Sequence, residues 1–377
     1  MIRSIFLFFL FLIAEQLLYA QEKMPTIKAT SKSVDIKDAY GFHKNQWTIV
    51  PEAKPDVFET NTQNGKVTFY TDIDSISVVV KPTTVFDFTI ILNDTAKAWT
   101  RIIYKPSYLD VLKNASAFNL NDNRSLPKFT YQDSSNPNLI ALRKGLNLDS
   151  IAGQSTELQK ILNLLHWIHN LIPHDGQHGN PEVRNAMSMI SVCKKEARGL
   201  NCRGLATVLN ESYLAMGIKS RFVTCLPKDS TDQECHVINL VFSKDLNKWL
   251  WIDPTNDAYI MNENGELLSI EEVRNRIIKE QSLIVNPDAN WNKKEAVLKP
   301  NYLFTYMAKN LYRFECPVSS EYNAETQTKD KTIEYIQLNP LDYYKQIPNI
   351  EKHTNKTNNY TRIVYKTNNP TLFWQTP

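Results

Sequence analysis

The sequence predicts an α+β chain of more than one domain, and three observations carry that expectation. Between Gln21 and about Pro106 the apolar residues come in short β-branched or aromatic runs separated by turn residues. Between Ser155 and Gly217 they recur twice at three- and four-residue steps, the period of a helix with one buried face. From Arg221 to Asp253 three strand-like runs follow one another as a meander. The chain has 377 residues, 42% hydrophobic and 22% charged, which suits two or three small domains better than one core.

Charge narrows the partners. With 43 Lys and Arg against 40 Asp and Glu, the formal charge of +3 provides no field that would favour nucleic acid or an anionic surface. No nucleic-acid partner is expected.

The first twenty residues carry one cationic side chain, Arg3, then an apolar run from Ile5 to Ala14, then Leu17, Leu18, Tyr19 and Ala20. The run is interrupted by Glu15 and Gln16 and is short for a membrane span, while Ala20 offers a small residue for cleavage. Residues 1–20 therefore read as a secretory signal peptide. The mature protein is expected to be exported, to a periplasm or the extracellular space, with no membrane span.

Residues 21–106 read as a β-rich domain. Strands are expected at 66–70, 76–80 and 86–92, bounded by Asn64-Gly65, Pro82-Thr83-Thr84 and Asn93-Asp94, in a small antiparallel sandwich. Residues 107–150, rich in Asn, Ser, Asp and Pro, read as a connector. A helix follows, capped by Ser155, with Leu158, Ile161, Leu162, Leu165, Ile168 and Ile172 on one face and Pro173 as its stop. Residues 188–201 read as polar chain. A second helix carries Leu205, Leu209, Tyr213 and Met216 and ends at Gly217, a natural residue to follow a helix. Residues 151–290 form the expected core and 291–377 an extension packing on it.

Five cysteines, at 193, 202, 225, 235 and 316, leave at least one thiol unpaired, and no Cys-x-x-Cys occurs. No metal and no cofactor are expected. Cys225 and Cys235 flank a loop between adjacent strands, so they are candidates for a disulfide, the alternative being two free buried thiols.

Three residues carry the chemistry. Cys202 stands at the start of its helix with Asn201 as N-cap, where backbone N–H groups and the helix dipole favour a thiolate. His236 begins one strand and Asp253 closes the next. If Phe242 lies opposite Trp249, Asp253 falls opposite Ile238, on the same face as His236 and diagonal to it. A carboxylate there can hold the imidazole by one nitrogen while the other faces a thiol. Taken singly, each has a plainer reading: a buried cysteine, a sheet-edge histidine, a turn-forming Asp before Pro254. Trp249 and Trp251 read as sheet packing before groove lining.

The blocks Asn201-Cys202-Arg203-Gly204-Leu205-Ala206, Cys235-His236-Val237 and Trp251-Ile252-Asp253-Pro254-Thr255, in that order and spacing, resemble the transglutaminase-like superfamily. The resemblance covers roughly residues 155–260. It implies a papain-type core, a Cys-bearing helix packed on an antiparallel sheet, with Cys202 as nucleophile, His236 as base and acid, and Asp253 as orienting group. Val237 departs from the aromatic or alanine-tryptophan pair that follows the histidine in many relatives. The Asn-Cys-Arg-Gly context lacks the aromatic common in cross-linking members, which points away from cross-linking. The second donor for an oxyanion is expected from the loop His174-Asp175-Gly176-Gln177-His178-Gly179, with Gln177 as the candidate.

Such a core supports attack of a thiolate on an acyl carbon of a protein or peptide substrate. With no evident amine-binding feature, water is the default acceptor, so a peptidase or amidase is expected. Transfer to an amine, giving protein cross-links, is the runner-up, and a non-catalytic binding module on the same fold is the reading from another class.

Overall fold

The computed structural model describes residues 24–52 and 54–377, so the signal peptide expected at 1–20 lies outside the described residues. Two compact units are present, one ending at Ser107 and the other running from Tyr108 to Pro377.

The first unit is a β-sandwich. Its strands are β1 (Thr26–Ala29), β2 (Ser33–Asp38), β3 (Gly41–Thr48), β4 (Asp56–Thr60), β5 (Gly65–Tyr70), β6 (Ser75–Val80), β7 (Val85–Leu92) and β8 (Ala96–Tyr104). One sheet has the order β1-β7-β8-β4 and the other β3-β2-β5-β6. Alternation along each strand sends Val34, Ile36, Val67, Phe69, Phe88 and Ile90 into one shared core. Edge-to-face contacts run from Trp47 to Phe58 (5.6 Å), on to Phe69 (5.1 Å) and to Phe88 (5.3 Å). The strands read from sequence lie within β5, β6 and β7. β2 and β3 have mostly polar outward residues and few apolar inward ones, too weak a pattern to read.

In the second unit a seven-stranded sheet has the order Lys248–Ile252, His236–Ser243, Ser220–Leu226, Arg313–Pro317, Thr332–Leu338, Thr361–Thr367, Ile350–Thr354. All neighbours are antiparallel except Thr332–Leu338 beside Thr361–Thr367. The helix Cys202–Ala215 lies on one face, buried along nearly its whole length. The helices Glu157–Leu171, Ala186–Glu196 and Pro137–Gly145 enclose it, sharing a core with Val241, Leu250 and Ile252 of the sheet. The opposite face buries Val223, Ile238, Leu240, Trp251 and Phe314 under the helix Ile270–Ile278 and a π-helical turn, Pro300–Met307.

Four expectations are corrected. Residues 107–150 are no bare connector: they fold into Tyr108–Lys113, Pro137–Gly145 and Leu148–Ala152, and Leu112, Leu139, Leu142 and Leu148 are fully buried. The Asn residues that suggested a linker are helix-end chemistry, since Asn136 accepts from the N–H of Asn138 and Asn147 takes a left-handed φ of 54°. The polar stretch 188–201 holds most of the helix Ala186–Glu196, capped by Asn185, with Met189, Ile190 and Cys193 buried. Residues beyond 290 supply four strands of the sheet, so a boundary at 290/291 cuts through one continuous layer. The helix Glu157–Leu171 is capped by Thr156 in place of Ser155.

Candidate active site

Local chemistry fixes the start of the Cys202 helix. Asn201 caps it, its side chain accepting from the N–H of Gly204 at 3.1 Å, while Asn180 Nδ2 donates to the same oxygen at 2.8 Å. Gly204 leaves room for this cap, because a Cβ would stand 2.5 Å from Asn180 Oδ1 and displace that side chain. Cys202 is thus the first helical residue, half-buried against Ala206, Phe222 and Val237.

The sheet positions the other two groups. Phe242 pairs with Trp249, and continuing that register sets Asp253 opposite Ile238, as the sequence predicts. His236 Nε2 meets Asp253 Oδ2 at 2.8 Å, with both side chains out of contact with solvent. Asp253 accepts further bonds from Asn256 Nδ2 (2.9 Å), the N–H of Thr255 (2.9 Å) and the Tyr302 hydroxyl (2.6 Å). The other imidazole nitrogen, Nδ1, lies 3.3 Å from the Tyr306 hydroxyl, and the two rings meet edge to face at 5.2 Å.

The three groups form one electrostatic unit. Burial pushes the Cys202 thiol up, but hydrogen bonds with His174 and His236, the charge of His236 and the N–H of Val237 outweigh it and bring the pKa down to about 6. Burial alone would lower His236; the charge of Asp253, seconded by the bonds to Asp253 and Cys202, holds it well above the ordinary histidine range. Burial likewise opposes the ionisation of Asp253, and His236, Asn256 and Tyr302 reverse that. All three shifts run in the direction of a thiolate beside an imidazolium whose far side is neutralised by a carboxylate.

A cavity of about 450 Å³ opens beside His236, lined by His174, His236, Asn256, Trp291, Leu298 and Tyr306 among others. Trp249 and Trp251 are buried in the sheet, as expected.

Two site expectations are corrected. Gln177 is exposed, its N–H bonded to Asp175 Oδ1, and it does not line the cavity; His174, three residues earlier in the same loop, lines it instead and helps to bring the Cys202 pKa down. The loop turns at Asp175, which also accepts from the N–H of His178, and so carries Gln177 and His178 away. Cys225 and Cys235 are both free. The register pairs Cys225 with His236, so alternation gives Cys235, the preceding residue, the opposite face from Cys225.

Sequence reasoning also missed Tyr302, Tyr306, Asn256 and Trp291. Asn256 had a local signal, standing three residues after Asp253 in a turn. Tyr302 and Tyr306 are spaced four apart on one helical face but arrive from a distant part of the chain. Where no metal was expected, His166, Asp257 and Asp288 place one ligand atom each within 4.8 Å of one another. His166 Nδ1 contacts Asp257 at 2.7 Å and Nε2 lies 3.9 Å from Asp288, so the imidazole stands between two carboxylates. The bond to Asp257 first of all, against burial, raises the His166 pKa accordingly.

Among the described residues no helix is long and apolar enough to cross a membrane. A comparison with curated proteins found no match. Among solved structures, the chain is similar to a "putative cysteine protease" from Cytophaga hutchinsonii, at 17% identity and a TM-score of 0.26. That likeness covers 44% of this chain and 56% of the other, so the chain spans little more than half the length of that neighbour. Residues 144–254 match the model of the transglutaminase-like superfamily, a span that contains Cys202, His236 and Asp253. Residues 144–254 of the second unit therefore form a transglutaminase-like core.

Proposed function

We propose that the protein is an exported hydrolase of peptide or amide bonds, with Cys202 as nucleophile, His236 as acid and base, and Asp253 as the group that orients it. The observation that carries this reading is the chain of contacts from Asp253 through His236 to a thiol whose pKa is brought down to about 6. The Cys202 thiolate attacks the substrate carbonyl carbon, and the electron pair of the C=O bond moves to oxygen. Collapse of that tetrahedral species breaks the C–N bond while the His236 imidazolium gives its proton to the departing amine. A thioester remains on Cys202. Neutral His236 then takes a proton from water as the water oxygen attacks the thioester, and the acid leaves as the thiolate is restored.

Water is the default acceptor in this reading, with a cavity of mixed lining, Trp291, Val297 and Leu298 beside Glu295, Asn256 and Asn301. The test is the rate of alkylation by iodoacetamide against pH. The wild type should react with a midpoint near pH 6, and His236→Ala only near about pH 8 to 9. Two superposed profiles near the ordinary thiol range would remove the nucleophile from the proposal. Release of ammonia or free peptide, measured against incorporation of a labelled primary amine, separates hydrolysis from cross-linking.

A further inference from the structure

We propose that His174 is a second imidazole on the Cys202 sulfur, a neutral Nε2–H donor whose tautomer is set by Trp291, and that it carries its hydrogen bond from the thiolate to the carbonyl oxygen as the acyl group is attacked. The second half rests on the acyl-transfer reading above; the first half does not.

Backbone pairing brings His174 to the thiol. The N–H of Asp175 donates to Leu200 O at 2.8 Å and the N–H of Leu200 to Pro173 O at 3.2 Å, so His174 runs parallel to the residue two places before Cys202. Only glycine fits at position 199 in this crossing, since a Cβ there would fall 2.2 Å from Pro173 O. Both backbone polar groups of His174 are then taken by one side chain. Its N–H donates to Asn292 Oδ1 at 2.6 Å and its C=O accepts from Asn292 Nδ2 at 2.9 Å.

The ring is fixed from the same hairpin. Trp291 Nε1 points at His174 Nδ1 at 3.4 Å, with the rings 6.4 Å apart and inclined at 61°. An indole N–H is a donor only, so Nδ1 must be the acceptor and the proton of the neutral ring resides on Nε2. Protonation of Nδ1 would set two N–H groups against each other. The hairpin, Asn290–Trp291 paired with Glu295–Ala296, is itself tied down, with Asn290 Oδ1 accepting from the N–H of Lys293 at 2.7 Å and lying 3.0 Å from His169 Nε2. With His236 Nε2 committed to Asp253 and His174 Nδ1 to Trp291, the nitrogens left for one sulfur are different, Nδ1 of His236 and Nε2 of His174.

On this assignment, a donor to the thiolate stands beside the carbonyl oxygen once that sulfur bonds to carbon. There it joins the first-turn N–H of Cys202, and fixed donors of this kind are worth about 10²- to 10³-fold in rate. His174 is then a catalytic residue, and Trp291 and Asn292 are positioning residues acting through it.

The experiment uses His174→Ala, His174→Gln and Trp291→Phe in the full chain, each checked for an unchanged Tm. Two readouts are taken: the pH profile of iodoacetamide alkylation, which needs no substrate, and the release of p-nitrophenol from p-nitrophenyl acetate. His174→Ala should move the alkylation midpoint up from about pH 6 and slow the acylation burst by about 10²-fold or more. His174→Gln, which keeps an N–H donor, should recover much of the burst. Trp291→Phe should lower kcat several-fold with KM little changed, because the ring can then spend its proton on Nδ1. A normal burst and an unmoved alkylation profile in His174→Ala overturn this proposal while leaving the proposed function intact. A wild type alkylated near pH 6 that never releases p-nitrophenol overturns the acyl-transfer reading and the second half of this one.

Discussion

The Tyr302 hydroxyl donates a hydrogen bond to Oδ2 of Asp253 at 2.6 Å, the same oxygen that His236 Nε2 meets at 2.8 Å. One carboxylate oxygen thereby ties the π-helical turn to the imidazole. Tyr302→Phe leaves Asp253 buried with one donor fewer. We expect a loss of about 1–3 kcal/mol in unfolding free energy. The midpoint of Cys202 alkylation should rise as His236 loses its firm hold, by less than in His236→Ala. Urea denaturation and the alkylation profile check the two halves separately.

Thiol counting tests the cysteine pattern. All five cysteines are free, so denatured protein treated with Ellman's reagent and no reductant should yield five equivalents of thiol. A yield two lower would mean a disulfide that the strand register does not favour.

Glu211 is buried on the central helix and accepts from the N–H groups of Ala186 at 2.7 Å and Asn323 at 2.9 Å. Burial dominates and pushes its pKa up to about 8. A carboxyl raised on folding favours the protonated native state, so its contribution is full below the ordinary value of 4.5 and is lost as pH rises to about 8. Wild-type Tm should therefore fall across that interval relative to Glu211→Gln, which has no such proton to lose. Parallel Tm curves for the two proteins would contradict this.

Gly199→Ala forces a methyl to within 2.2 Å of a backbone oxygen, which neither strand can yield cheaply. We expect about 2–3 kcal/mol of destabilisation. The surviving folded protein should show an alkylation profile displaced in the same sense as His174→Ala, since the same crossing carries His174.

The central helix and the meander were legible because each is specified locally. Asn201, the stripe from Leu205 to Tyr213, and Gly217 at φ +74° mark one helix from end to end, and β-branched runs with short turns mark three strands. The diagonal relation of His236 and Asp253 followed from alternation once a single pair, Phe242 with Trp249, was guessed. What escaped notice is set by tertiary crossing. His174 and Gln177 share one loop, and only the turn at Asp175 decides which faces the sulfur. Tyr302 and Trp291 come from residues with no local periodicity that reaches back to Cys202. The helix Ala186–Glu196 was hidden by its exposed lysines and serines, although Met189, Ile190 and Cys193 keep helical spacing on its buried face.

The strand Arg313–Pro317 pairs directly with Ser220–Leu226, and Thr332–Leu338 pairs on its far side. A nascent chain that has delivered Cys202, His236 and Asp253 still presents Ser220–Leu226 as a bare edge, and lacks the tyrosine that holds Asp253 until residue 302 has emerged. A product truncated before Arg313 would leave that edge unpaired and prone to self-association.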